Sequence, residues 1–371
     1  MSLVIAAKRV VDADGERVDA WVRIEGDTIA EIGTGALPGD AVRAGTLMPA
    51  FVDLHCHGGG GASFTSADPD EIGRAASTHL AHGTTTMHAS LVSAAYDDLS
   101  TQVRALIPFV DDGTLRGIHL EGPWISRAYC GAHDPAALRA PDPGEVARIL
   151  DAGDGRIRMV TLAPELPGAL ESIRIIVERG AVAAIGHTAA DRDAVRAAVD
   201  AGATVATHLF NAMPPLLHRD AGPVGVLLAD PRVTCEVIGD GVHLEPEVVA
   251  LALSASEGRG ALVTDAMSAA GAGDGSYRIG RLDVVVRDGV ARLREGGGLA
   301  GSTLLMDSAL RRTIRLADRT LAQASRAASL APARAMGLGD RGLLAVGQRA
   351  DVVLLDDDLR VARVMRGGAW A

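Results

Sequence analysis

Hydrophobic positions in the middle of the chain fall into short runs that read as strands. They are PAFVDLHCH (49–57), TTTMHASL (84–91), LRGIHLEG (115–122), IRMVTLAPE (157–165), AVAAIGHT (181–188), TVATHLFN (204–211), VTCEVIGDG (233–241) and ALVTDAM (261–267). Short apolar runs bounded by turn-forming residues fit buried strands. Between them lie Ala-, Arg- and Glu-rich stretches with helical spacing, such as PDEIGRAASTHLAHG (69–83) and DRDAVRAAVDAG (191–202). Each of these two closes on a glycine, the usual left-handed stop after a helix. Strands alternating with helices in this way predict an α/β fold, a (β/α)8 barrel of TIM type.

The two ends of the chain carry a different pattern. LVIAAKRVV, AWVRIEG and TIAEIG are β-rich runs split by Asp-Gly, Gly-Asp and Gly turns, and GLLAVGQRADVVLLDDDLRVARVMRGGAW at the other end is similar. Paired, they predict one small β-sandwich domain built from residues 1–49 and 342–371, with the barrel, 50–341, inserted between them. The glycine runs Gly58–Gly61 and Gly296–Gly298 read as loop tips.

Composition narrows the function classes. The chain has 371 residues, 48% hydrophobic and 22% charged, which excludes a disordered protein. It has no apolar run long enough for a transmembrane helix. MSLVIAAKRVVDADGE turns polar too soon for a signal peptide, and Cys56, Cys130 and Cys235 are too few for a disulfide framework, so the cytoplasm is expected. A net charge of −11 argues against a nucleic-acid platform. It leaves an anionic substrate open, because one arginine can hold a phosphate on an acidic protein. Lys8 is the only lysine in the chain.

On this strand map His55 and His57 close the first strand, Glu121 the third, His187 the fifth and His208 the sixth, and Asp265 comes at the end of the eighth. The C-terminal strand ends of such a barrel form its active-site face, so six potential metal ligands converge on one rim. Alternation along a strand sends His55 and His57 to one side and Cys56 to the other. An HxH pair alone fits a structural role as well as a metal; after PAFVD on the first barrel strand it reads as a ligand pair. A buried Glu121 needs a cation or several donors to stay charged, the alternative being a salt bridge at the barrel mouth. A lone histidine ending an apolar strand is more often a hydrogen-bonded core residue, but one per strand end favours ligation. Asp265 fits a helix N-cap or a catalytic acid/base, and the completed ring favours catalysis. Lys8 lies in the N-terminal β segment and cannot serve as a carboxylated lysine between two metals, so a bridging ligand must be a carboxylate, and Glu121 is the best placed.

HLEGPW, AIGHT, THLFNAM, DGVH and VTDAM, in this order and at these intervals, resemble the N-acetylglucosamine-6-phosphate deacetylase family of the amidohydrolase superfamily. The resemblance covers essentially the whole chain, including the terminal segment ending in GQRADVVLLD. It implies hydrolysis of the acetamide of N-acetylglucosamine 6-phosphate to glucosamine 6-phosphate and acetate. It implies that Glu121, His187 and His208 belong to the metal site, that Asp265 is the general acid/base, and that His243 contacts the substrate near its amide. Asn211 and Ala212 match a backbone segment that holds the sugar phosphate, and Arg219 matches the phosphate-binding arginine. His218 beside it and His133 are weaker phosphate candidates. Leu299, Ala300 and Gly301 match a loop lining the sugar pocket, and Ala132 matches another substrate contact. Members carrying HxH are thought to hold two metals, so HCH here implies two divalent cations: His55, His57 and Asp265 on one, His187 and His208 on the other, Glu121 shared. Such ligands suit Zn, Fe, Mn or Co, and availability often decides. The resemblance also implies a homodimer, with part of the phosphate site coming from the neighbouring subunit.

Other residues carry ordinary expectations. His79 and His82, in the helix over 69–83, are expected at the surface or the helix end, His88 and His119 packed or behind the site, and Cys235 in the core. Cys130, in the loop ISRAYCGAHD, reads as a loop thiol without an assigned role. A deaminase or cyclic amidase would present the same metal ring, and an N-acetyl hexosamine epimer would suit the same motifs. A non-catalytic binding descendant would be expected to lose Asp265 or His243, and both are present. A nucleotide-dependent oxidoreductase needs a GxGxxG turn that these glycine runs do not supply.

Overall fold

The structure, a computed structural model, describes residues 2–37 and 39–371. All eight expected strands form: Phe51–Cys56, Thr84–Leu91, Gly117–Glu121, Ile157–Leu162, Val182–Ile185, Val205–Ala206, Thr234–Ile238 and Gly260–Val263. They pair in parallel and in sequence order, first neighbour to first neighbour. The ring closes between the first and eighth strands just past the end of the latter. Asp265 donates its N–H to His55 O at 2.8 Å, and His57 donates to Ala266 O at 2.7 Å. One layer below, the buried Asp53 carboxylate accepts from Thr264 N–H at 3.2 Å and from its hydroxyl at 2.6 Å.

Three strands end earlier than the apolar runs suggest. The fifth, sixth and eighth stop at Ile185, Ala206 and Val263, short of His187, His208 and Asp265. Those three residues have φ of 48°, 27° and 47°. Left-handed backbone cannot continue a pleat, so each strand breaks where its candidate ligand turns into the barrel mouth.

The helices follow their sequence signals. Asp68 caps Pro69–Ala81 by accepting from Asp70 N–H, and Pro69 supplies the fixed φ that suits the first turn. Ile72, Ala75, Ala76 and His79 form its buried face at helical spacing. This corrects the expectation for His79: it is fully buried, with Nε2 2.9 Å from Gly58 O and 3.1 Å from Cys56 Sγ. Its spacing from Ile72 put it on the apolar stripe; only its polarity argued for the surface. His82 does sit at the helix end, half-buried, 3.2 Å from Asp307. Cys235 is in the core as expected.

Both termini join in a single seven-stranded sheet. Ala41–Pro49 pairs with Val352–Leu355, so the strand that leads into the barrel lies beside the strand that leaves it. The sheet folds over its own apolar face, with Ile29 N–H donating to Gln348 O, and encloses Ile5, Val22, Leu47, Val352 and Met365. One unexpected element follows the eighth barrel strand: a three-stranded meander, Gly275–Ile279, Leu282–Arg287 and Val290–Leu293. Its second turn is Asp288-Gly289, both residues at positive φ, as a tight hairpin requires. That Asp-Gly pair between two valine-rich runs was the available signal for it. Among the described residues no helix is long and apolar enough to cross a membrane.

Gly83 ends the first barrel helix at φ 92° and touches the junction between barrel and terminal sheet; a Cβ there would lie 2.8 Å from the Phe51 ring and 2.9 Å from Val353. Gly83→Ala is therefore expected to cost about 1–3 kcal/mol of stability. Denaturant unfolding at fixed metal concentration measures this, and wild-type stability would show that the junction yields.

Candidate metal centre and active site

Glu121 stands at the centre of the barrel mouth, and its two oxygens face different partners. Oε1 lies 3.0 Å from His187 Nε2 and 2.9 Å from His208 Nε2. Oε2 lies 3.1 Å from His57 Nε2 and 3.4 Å from His55 Nε2. Asp265 completes the second group, with Oδ1 3.4 Å from His55 Nε2 and 3.2 Å from His57 Nε2. Within each pair the imidazole nitrogens face one another: His55 and His57 Nε2 are 3.0 Å apart, and so are His187 and His208 Nε2. All six candidate ligands are buried together.

The far side of each ring explains why Nε2 points inward. His57 Nδ1 lies 3.1 Å from Ser90 O, and His187 Nδ1 lies 2.8 Å from Tyr129 O. A carbonyl only accepts, so both rings donate from Nδ1 and present a bare Nε2 lone pair to the centre. His55 Nδ1 faces the Glu236 carboxylate at 3.1 Å. Lone pairs aimed at one another across 3 Å, beside two carboxylates, need positive charge between them. Among the described residues no lysine or arginine pairs with Glu121, Asp265 or Glu236. This donor set fits divalent cations, with N and O ligands and one carboxylate disposed to be shared.

His133 differs, although it also lies 3.3 Å from Glu121 Oε2. Ser93 donates its N–H to His133 Nδ1 at 3.1 Å, so the proton of a neutral ring sits on Nε2. Burial pushes this ring down to about 4, more strongly than Glu121 raises it, and it stays neutral. His133 is thus an N–H donor into the centre rather than a lone-pair ligand.

The charges follow from the same packing. Burial opposes ionisation of Glu121, but the charge of His55, with hydrogen bonds from His133 and His187, outweighs it and holds the carboxyl well below its usual range. Asp265 is likewise pulled down to about 2 against burial, by His55 and His57. In return Asp265 and Glu121 push His57 up to about 9 against its own burial, so with no cation bound a proton takes the place at Nε2 that a cation would otherwise fill. The mouth therefore concentrates carboxylates whose only basic neighbours among the described residues are imidazoles.

Above it opens a cavity of about 410 Å³. His57, Glu121, His187, His208 and Asp265 reach its surface, and Ala132, Asn211, Ala212, His243, Leu299 and Gly301 form further lining. Ala300 is fully buried and packs its methyl behind the lining, in a cluster with Met267 and Ile279. His218 and Arg219 are exposed on the loop that follows Asn211 and Ala212, outside the lining of this cavity. The structure of one chain does not bring them to the site.

Sequence reading missed the groups that brace the site. Asp240 Oδ2 holds His243 Nδ1 at 2.7 Å while its Oδ1 accepts the His243 and Val242 N–H groups. Asp240 raises the His243 ring above the ordinary histidine range despite burial. His119 sits behind His55, tied to Ser90 Oγ and Thr161 Oγ1 at 2.8 Å each, in keeping with its expected supporting role. Polar residues inside apolar strand runs, Glu236 in CEVIGD above all, were the signal for this layer.

The sequence profile of the amidohydrolase family matches residues 46–371, and the chain belongs to that family. Its solved neighbours include an N-acetyl-D-glucosamine-6-phosphate deacetylase mutant from Mycobacterium smegmatis, in complex with N-acetyl-D-glucosamine-6-phosphate. That structure is 47% identical, with a TM-score of 0.96 over 100% of this chain and 99% of the other. The human N-acetylglucosamine-6-phosphate deacetylase is 38% identical over 85% of this chain and 80% of its own length. An N-acetylgalactosamine-6-phosphate deacetylase of Escherichia coli O157:H7 is 35% identical over the full length of both. Within the amidohydrolases the chain groups with these deacetylases.

The Asp240–His243 pair yields a prediction. If His243 acts as a proton-bearing donor, activity falls as pH rises through its raised pKa. Asp240→Asn removes the charge that raises it, so the basic limb of the kcat/KM profile is expected to move to lower pH. A limb that stays in place would remove His243 from the donor role.

Proposed function

We propose that this enzyme removes the acetyl group from N-acetylglucosamine 6-phosphate, giving glucosamine 6-phosphate and acetate. The observation that carries the reading is the division of Glu121 between two histidine pairs at the floor of a cavity large enough for a hexose. We assign two divalent cations to it: one held by His55, His57 and Asp265, the other by His187 and His208, with Glu121 shared between them. When bound, such cations supply Lewis acidity that polarises the amide carbonyl and makes water easier to ionise.

The chain's own groups then divide the work. Asp265, ionised at neutral pH and at the cavity surface, takes a proton from the attacking water and returns it to the amine as the C–N bond breaks. His243, with Nδ1 occupied by Asp240, directs Nε2–H at the carbonyl oxygen as charge develops there. His133 Nε2–H is a second donor at the same rim. Asn211 and Ala212 align the sugar, with Ala132, Leu299, Ala300 and Gly301 shaping its pocket. The 6-phosphate falls to Arg219, whose planar fork suits a dianion, with His218 beside it. Both are exposed; in a homodimer this loop would help complete the phosphate site of the neighbouring subunit. The working barrel, 50–341, is carried on the domain formed by 1–49 and 342–371. All three cysteines are free, which supports a reducing, cytoplasmic setting.

The full-length similarity to an N-acetylgalactosamine-6-phosphate deacetylase favours one second reading, the epimeric sugar phosphate. Acetate release from both epimers, with metal analysis on the same sample, tests the assignment. The expected result is a higher kcat/KM for the gluco epimer and two ions per chain. Arg219→Ala is expected to weaken phosphorylated substrate while sparing N-acetylglucosamine itself; equal loss on both would end the phosphate role. Asp265→Asn is expected to lower kcat by about 10²–10⁴-fold, with the ion at His187 and His208 retained. Near-normal turnover in that variant would shift the acid/base role elsewhere.

A further inference from the structure

Glu236 lies in the middle of an apolar strand, Thr234–Ile238, and its side chain is completely buried inside the barrel. Nothing in the deacetylation chemistry requires it to touch substrate, and it does not line the cavity. Its partners are nevertheless the two halves of the metal centre. Oε2 faces His55 Nδ1 at 3.1 Å and accepts the backbone N–H of His208 at 3.1 Å. Among the described residues Oε1 has no hydrogen-bond partner. A carboxylate in the interior with one oxygen unsatisfied is costly, and such a group calls for an explanation.

The geometry points to that use. We propose that Glu236 is a positioning residue that creates the His55 cation site and couples it to the His208 site, an inference that rests on the two-cation reading above. His55 has two nitrogens, and only one arrangement makes it a ligand. With the proton on Nδ1 and donated to Glu236, Nε2 is bare and points at His57, Glu121 and Asp265. With the proton on Nε2, the ring would present a donor to that group and hold no cation. Glu236 selects the first arrangement. A carboxylate acceptor also draws the Nδ1 proton toward itself, which makes the opposite nitrogen a stronger ligand. His57 and His187 are held by backbone carbonyls, which are neutral. At Nδ1, His55 alone among these three rings faces a carboxylate, and it is fully buried behind the cavity lining that His57 and His187 reach. The same Oε2 pins His208 at φ 27°, where its strand has already broken, so one atom sets the aim of a side chain in one group and of the backbone in the other.

The test uses metal-free enzyme titrated with Co(II) against a competing chelator, reading stoichiometry and the visible absorption of bound Co(II). Wild type is expected to take two ions. Glu236→Ala is expected to bind the ion at His55, His57 and Asp265 about 10–100-fold more weakly and to lose its absorption band, while the ion at His187 and His208 and the thermal transition of the loaded protein persist. Glu236→Asp is expected to recover part of the lost affinity. Wild-type affinity for both ions in Glu236→Ala would overturn the proposal. Wild type binding a single ion would instead overturn the two-cation reading. Imidazole-labelled wild-type protein gives a readout independent of any variant: 15N spectra are expected to show His55 protonated at Nδ1, and a proton on Nε2 in the loaded enzyme would overturn the assignment.

Discussion

Negative charge buried, among the described residues, without a lysine or arginine to meet it is the constraint on which the rest of the structure depends. Glu121, Asp265 and Glu236 gather at the barrel mouth, and among the described residues their only basic side-chain partners are imidazoles. Isolated carboxylates in such surroundings would cost several kcal/mol each unless paired or bound to cations. The barrel spends backbone regularity to hold the arrangement. His187, His208 and Asp265 all leave their strands through left-handed φ, a conformation that costs of order 1–3 kcal/mol where the surroundings must enforce it. Histidine and aspartate tolerate that region better than branched residues, so the residue types that bind cations are also types that can make the turn.

The closing of the barrel and the building of the site are one event. No continuous ladder joins the first and eighth strands; the bonds Asp265 N–H to His55 O and His57 N–H to Ala266 O do so. Three candidate ligands therefore contribute main-chain atoms to the seam and side chains to the centre. Asp53 and Thr264 lock the layer beneath. A shift at this seam would move His55, His57 and Asp265 together, which links the integrity of the fold to this group more tightly than to the His187–His208 pair.

Much of the fold was legible in the chain. Eight apolar runs, glycine stops such as Gly83, and β-rich ends mapped onto eight strands, their helices and one terminal sheet, because burial on both faces writes a strong local pattern. The residues at strand ends were legible for the same reason: a histidine or carboxylate that closes an apolar run stands out. The meander over Gly275–Leu293 was not read, since its strands are short, half-exposed and interrupted by arginine and aspartate. His79 was misplaced because a single polar residue on an apolar stripe was weighed by type rather than by spacing.

The sequence by itself determined which side chains could meet, through strand order and the direction of their ends, and the lone Lys8 removed one kind of bridge from the outset. It could not determine how they meet. Whether Glu121 serves one group or two depends on the rotation of one carboxylate between strands far apart in the chain. Whether a histidine is a ligand or a donor depends on what lies behind its ring: Ser90 O for His57, Ser93 N–H for His133, Glu236 for His55. Those partners come from other strands and loops, so only the closed barrel brings them into contact and decides the tautomer on which the chemistry rests.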